Sequence, residues 1–214
     1  LHSFPTRRSS DLLQLMHASV LGPIIGWEFK KEYGVPVFTV DPVSVDEMTP
    51  WARLSGWKLL PRRSLSHALN TRYVARKVCA ERGVRYEDVN MVVAHLGSGI
   101  SITAHTKGRM VDVSEAMNSG PYSPQRTGQL PVIDLTDLCF SGKFTKDQIK
   151  KKIMKEGGVF DYVGTSSGKE LVARVEAGDK EADLALTGMC YQIAKEIGAM
   201  SVAAGMPLEV IAIT

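Results

Sequence analysis

The run His95-Leu96-Gly97-Ser98-Gly99-Ile100-Ser101 sets an imidazole and two hydroxyls around a pair of glycines. Glycine lets a backbone approach a ligand closely and lets successive N–H groups turn toward one anion. The spacing suits a phosphate cradle, with His95, Gly97, Ser98 and Gly99 as its contacts. It joins two strand-like segments, whereas a P-loop opens a helix. An ordinary glycine hairpin would read the same way. Arg126 lies in SPQRTGQLP, between Pro124 and Gly128. A planar guanidinium on so constrained a loop can meet a phosphoryl group where negative charge spreads; a solvated surface arginine is the plain alternative. His67, in SHALN, could donate to a phosphoryl oxygen or move a proton, or simply be hydrogen-bonded at a helix start. Asp41 closes VPVFTVD and could hold Mg²⁺ through water or orient an acceptor carboxylate. A turn aspartate is equally ordinary there.

Other reactive side chains are less telling. His17, His105, Asp112 and the Asp46/Glu47 pair have no spacing that singles them out. Cys79, Cys139 and Cys190 are far apart and form no metal-type pair. Each has apolar neighbours, so all three read as buried free thiols of a reducing compartment, with the cytoplasm as the expected location.

The elements that must carry these residues follow from periodicity. A helix is predicted from His17 to Tyr33, broken near Gly22-Pro23, with Ile24, Ile25 and Phe29 as core contacts. Gly34 ends it, and Val35–Asp41 reads as a short buried strand. Trp51–Pro61 reads as a linker or domain crossing. A second helix spans Leu65 to Arg82, with Val74, Ala75, Val78 and Cys79 on its apolar face and Gly83 as its cap. Met91–Leu96 is a buried strand. Ile100, Ile102 and Ala104 alternate with Ser101, Thr103 and His105, the pattern of a half-buried strand. Lys107-Gly108 supplies a hairpin turn before Met110, Val111 and Val113. Thr145 and Gln148 have capping-box spacing. A last helix starts near Asp179, with Leu186, Met189, Ile193, Ile197 and Met200 on one face, before a strand at Glu209–Thr214. Together these make an α/β domain with a mixed sheet.

The chain has 214 residues, 44% apolar and 23% charged, with a formal net charge of +3. That composition is globular and argues against disorder. The charge is too small and scattered to imply nucleic-acid binding. No apolar run is long enough for a membrane span. The opening LHSFPTRRSSDL (residues 1–12) has neither the apolar stretch nor the cleavage site of a signal peptide and reads as a non-native leader. The missing initial methionine and the strand-like run Leu208–Thr214 at the other end predict a fragment.

Taken in order, VDPVSVDE, SHALNTRYVARKV, VAHLGSGISITAHTKGRMVDV, GPYSPQRTGQLP, LCFSGKFTK and YQIAKEIGAM resemble the acetate kinase family. That family is a branch of the sugar-kinase/Hsp70/actin superfamily, and the forms HASVLG, SHALN and SPQRTG resemble its butyrate kinases. The resemblance runs from about His17 to the end. It implies an actin-like ATPase (ribonuclease H-like) fold, with residues 13–50 the tail of an amino-terminal domain and 51–214 a truncated second domain. It implies reversible transfer of the γ-phosphoryl group of ATP to butanoate or a branched short-chain acid, giving acyl phosphate and ADP with Mg²⁺, in a homo-oligomer. It places His95, Gly97, Ser98 and Gly99 at the nucleotide phosphates, Arg126 and His67 on the transferring group, and Asp41 near the metal and acceptor. Ser98 stands where glycine or asparagine is expected, and Gln125 where glutamate is expected. A first phosphate hairpin, an early arginine of the acyl site and an adenine-binding glycine loop are not in the chain, so the fragment alone is expected to be inactive. Acetate or propionate kinase, and a non-catalytic nucleotide-binding module, are the alternative readings.

Overall fold

The computed structural model describes residues 21–114 and 117–214. The expected leader at 1–12 and the helix start at His17 lie outside the described residues. Helix α1 (Leu21–Tyr33) is followed by α2 (Ala68–Glu81), strands β1 (Met91–Leu96), β2 (Ile100–Thr106) and β3 (Arg109–Val113), and then helices α3 (Val132–Phe140) and α4 (Lys146–Lys155). Helices α5 (Val159–Val163), α6 (Gly168–Glu176) and α7 (Lys180–Ala204) lead into strand β4 (Val210–Ile213).

The sheet has the order β3-β2-β1-β4, with the first three strands antiparallel and β4 parallel to β1. The predicted meander and mixed sheet are thus present. At the β2–β3 turn, Lys107 and Gly108 have φ of 50° and 71°, the left-handed pair that matches strand twist in a tight hairpin. Parallel pairing of β1 with β4 requires a long crossover, which helices α3 to α7 supply.

The sheet is covered on both faces. On one, α7 lays Ile193, Met200 and Ala204 over Val92, Ala94, Ile102 and Ala104. On the other, Ala75 and Cys79 of α2 pack on Met91, Val93 and Ala212. Alongside them, Met48 and Ala52 pack against Ala68, Met110 and Val113. Helix α2 ends in a full Schellman motif: Gly83 N–H donates to Ala80 O, Val84 N–H to Cys79 O, and Gly83 has φ of 66°.

Cover on both faces changes the reading of β2. Ser101, Thr103 and His105, expected on an open face, are completely buried. Thr103 Oγ1 donates to Val93 O, so it accepts from His105 Nε2 at 2.7 Å. Tyr86 OH then donates to His105 Nδ1, also at 2.7 Å. This chain satisfies a neutral imidazole. Burial, helped by the positive charges of Arg72 and Arg76, pushes the His105 pKa down to about 3. Burial likewise raises the Tyr86 pKa, and that phenol stays protonated.

Three further expectations are corrected. Val35–Asp41 forms no strand: Phe38 and Val40 are 75% and 64% exposed, without a neighbouring strand among the described residues. Helix α1 buries no described residue, and Ile24, Ile25 and Phe29 are exposed. Of the cysteines only Cys79 is buried; Cys139 and Cys190 are exposed.

Candidate active site

The predicted residues meet at the carboxyl ends of β1 and β4, where open α/β sheets characteristically bind ligands. β1 delivers His95 there, and Gly97-Ser98-Gly99 turns the chain back into β2. Neither Gly97 nor Gly99 has a positive φ, so backbone handedness does not demand glycine at either. Close approach does at Gly99. A Cβ on Gly99 would lie 2.9 Å from Arg126 Cζ and nearer still to Nη1. The guanidinium therefore rests directly on the turn's backbone, and its partial burial lowers its pKa without threatening its charge.

The loop carrying Arg126 is tied down on its far side by α5 and the glycine pair before it. Gly157 N–H donates to Gln125 O at 3.1 Å, Val159 N–H to Ser123 O at 3.1 Å, and Phe160 N–H to Pro124 O at 3.0 Å. Gly158, at φ of 63°, has no room for a side chain: a Cβ would meet Ser123 O and come within 2.7 Å of Arg126 O. Gln125 spends its amide on Ser166 Oγ at 3.1 Å, away from the turn.

His67 is the residue before α2 rather than within it, and its side chain makes no capping bond. Its Nδ1 shares a 2.9 Å hydrogen bond with Ser101 Oγ, and its ring stacks on that of His95, with centroids 4.0 Å apart at 23°. Asn70 Oδ1 accepts from His95 Nδ1 at 3.1 Å, which leaves Nε2 of the neutral ring as an acceptor beside Gly97. Burial lowers the His95 pKa and favours that neutral form.

Asp41 reaches the same cleft by a different route. Its backbone has φ of 40°, a conformation Asp and Asn tolerate better than most residues. Its carboxylate lies 3.1 Å from Arg72 Nε and 3.1 Å from Arg76 Nη1, on successive turns of α2. Arg72 Nε is buried and off hydrogen-bond alignment with that oxygen, while Arg72 Nη1 pairs with buried Glu47 at 2.7 Å. A cleft of about 470 Å³ opens among Asp41, Val43, His67, Leu69, Tyr73 and His95. A second depression of about 410 Å³, at Arg82, Arg85 and Glu209, sits at the other end of β1 and holds none of these groups.

Of the residues singled out in the sequence, the structure sets Arg126 against the Gly97–Gly99 turn, stacks His67 on His95, and places Asp41 on the cleft those two histidines line. Sequence reasoning missed Asn70, Ser101 and Ser123, which hydrogen-bond to this group. Asn70 lies one α2 turn past His67, a signal that was available; the bonds of Ser101 and Ser123 depend on segments distant in sequence. Among the described residues no group of three His, Cys, Asp or Glu is arranged to hold a metal ion. No described helix is long and apolar enough to cross a membrane.

The profile of the acetokinase family matches residues 54–214. A protein of Caldanaerobacter subterraneus named "Probable butyrate kinase 2" is 50% identical over 185 residues, covering 86% of this chain and 52% of that protein. One of Listeria innocua named "Probable butyrate kinase" is 46% identical, covering 92% and 56%. The chain spans about half the length of these curated relatives. Among solved structures, Porphyromonas gingivalis acetate kinase superposes with a TM-score of 0.71 at 27% identity, covering 77% of this chain and 43% of that one. A propionate kinase of Francisella tularensis gives 0.70 at 21% identity, covering 77% and 44%, a likeness of fold. The matched profile takes in well over half of the chain, and the fold agrees with it: this chain belongs to the acetokinase family.

Proposed function

We propose that this chain supplies the phosphate-binding turn and phosphoryl-stabilising groups of a short-chain carboxylate kinase acting on butanoate or a branched short-chain acid. The observation that carries the reading is the contact between Arg126 and Gly99, which sets a fixed positive charge on a glycine turn able to cradle phosphates. In the reaction a carboxylate oxygen of the acid attacks the γ-phosphorus of ATP in line. The bond from that phosphorus to the bridging β–γ oxygen breaks, and its electron pair leaves with ADP. The protein has little covalent work to do; positioning and charge stabilisation suffice.

Each side chain then has a defined task. The Gly97–Gly99 turn receives nucleotide phosphates, and Arg126 meets the charge spreading over the transferring group. His67, held through Ser101, donates from its remaining ring nitrogen. A phosphate beside His95 Nε2 would raise the pKa of that ring and recruit a second proton to it. Mg²⁺, which generally accompanies ATP in this family, neutralises phosphate charge when bound. It commonly takes few protein carboxylates and keeps several waters, and Asp41, at the cleft and already ion-paired, fits contact through water. In this reading residues 13–50 are the tail of an amino-terminal domain, its end packing Glu47 and Met48 into this one, and the protein works in the cytoplasm as a homo-oligomer.

The test is an assay of the full-length protein carrying this chain, with ATP, Mg²⁺, butanoate and hydroxylamine. Acyl hydroxamate is expected; nucleotide binding without hydroxamate would instead mark a binding module. The likeness to an acetate kinase at 27% identity favours acetate as the rival acceptor. One methylene in an apolar site is worth only about 1–3 kcal/mol, so acetate, butanoate and isobutanoate must be compared by kcat/KM.

A further inference from the structure

Ser123 is 1% exposed, and its hydroxyl is engaged in three directions. Oγ donates to Ser98 O at 2.7 Å, and it accepts from Arg126 N–H at 3.1 Å and from Gln125 N–H at 3.4 Å. The backbone closes the same loop, with Ser123 N–H donating to Arg126 O at 3.0 Å. One hydroxyl therefore shapes the turn of chain that presents Arg126 and ties that turn to the phosphate-binding turn.

We propose that Ser123 is a positioning residue for phosphoryl transfer, acting through Arg126 by fixing the guanidinium to the Gly97–Gly99 turn. The inference rests on the kinase reading given above. A guanidinium meeting transition-state charge must be placed to within a fraction of an ångström, and a hydroxyl satisfied on all sides in a dry site holds its geometry tightly. Alanine at this position leaves Ser98 O and Arg126 N–H without their partner and lets the two turns drift apart.

The experiment compares the full-length protein with S123A, R126A and the double variant. Expected are a loss in kcat of about 10- to 100-fold for S123A, the scale of a 1 Å misplacement, with KM for ATP little changed. In the R126A background S123A should cost nothing further. Equal losses in both backgrounds, or a raised KM for ATP with kcat intact, would overturn the inference. Should S123A fail to accumulate, S123C carries the same comparison, filling the space with a weaker donor. A second readout needs no catalysis: the rate at which phenylglyoxal modifies Arg126, followed by peptide mass spectrometry. Release of the guanidinium should speed it several-fold in S123A, and an unchanged rate would also overturn the inference. Absence of hydroxamate from the unmutated protein, with the phenylglyoxal difference intact, would instead defeat the kinase reading while leaving the Ser123–Arg126 coupling established.

Discussion

Arg126 touches the turn through its guanidinium plane, so shape as well as charge matters at that position. Arg126→Lys keeps the charge and loses the fork, and a lysine ammonium cannot lie flat across the Gly99 backbone. We expect Arg126→Ala to lower kcat by about 10²- to 10³-fold, the usual loss for one preorganised charge-stabilising donor, with Arg126→Lys recovering only a small part. ATP affinity, measured by calorimetry, should change far less, because the turn's own N–H groups remain. Loss of ATP binding in proportion to kcat would show that Arg126 serves the ground state. Arg126, His67, His95 and Asp41 were legible in the sequence because each is a reactive residue type beside a glycine, a proline or an element end. Their orienting partners were not, because the bonds of Ser101 to His67 and of Ser123 to Ser98 join segments 34 and 25 residues apart.

At the scale of elements, the Gly97–Gly99 turn shows why two glycines of similar sequence context differ in tolerance. A Cβ on Gly99 strikes Arg126 Cζ at 2.9 Å, whereas one on Gly97 meets His95 Nε2 at 3.2 Å, a contact a small ring shift relieves. Gly99→Ala should therefore abolish most turnover while Gly97→Ala keeps a measurable fraction. Equal losses would mean that the turn tolerates no side chain for reasons other than Arg126. Helix α4 illustrates the opposite case, an element set by local chemistry alone. Thr145 Oγ1 accepts from Gln148 N–H at 3.3 Å, and Gln148 Oε1 accepts from Thr145 N–H at 2.8 Å, the capping box anticipated from spacing. Thr145→Ala should weaken amide-exchange protection in α4 by about 1 kcal/mol and leave kcat unchanged. Local signals of this kind made the meander, the α2 cap and α4 readable. Val35–Asp41 misled because β-branched residues favour a strand only where a sheet accepts them, and no described strand lies beside that segment. Cys139 and Cys190 misled for a related reason: apolar neighbours in sequence say nothing about which helix face is covered.

Over the whole molecule, burial of both sheet faces leaves ionisable groups inside, and that makes stability depend on pH. Glu47 and Arg72 form the buried pair at the junction of the 41–53 segment, α2 and β3, with Glu47 Oε2 also accepting from Met110 N–H at 2.8 Å. Removing Glu47 leaves Arg72 only the poorly aligned Asp41 carboxylate and leaves the Met110 N–H without its acceptor, so Glu47→Ala should cost about 3–5 kcal/mol in urea denaturation. His105 acts over a wider range. Unfolded, its imidazole takes up a proton below about pH 6.5; folded, it does so only near pH 3. Between those limits unfolding binds a proton that the native state excludes. Stability therefore falls as the medium is acidified, by up to about 1.4 kcal/mol per pH unit from this group. Above about pH 6.5 both states hold the ring neutral, and its contribution is complete and constant. The Asp179 carboxylate, held below its usual range by the Ala182 N–H and Arg174, adds a separate loss at lower pH, so the discriminating window is roughly pH 6.5 to 5. There, urea denaturation of the full-length protein should show a decline that His105→Gln lessens, leaving the part contributed by His95, whose pKa burial also lowers; glutamine can still bond Tyr86 and Thr103 without titrating. An identical decline in both proteins would place the source of acid sensitivity elsewhere, and the closed Tyr86–His105–Thr103–Val93 chain would then be a packing feature without a titrating role.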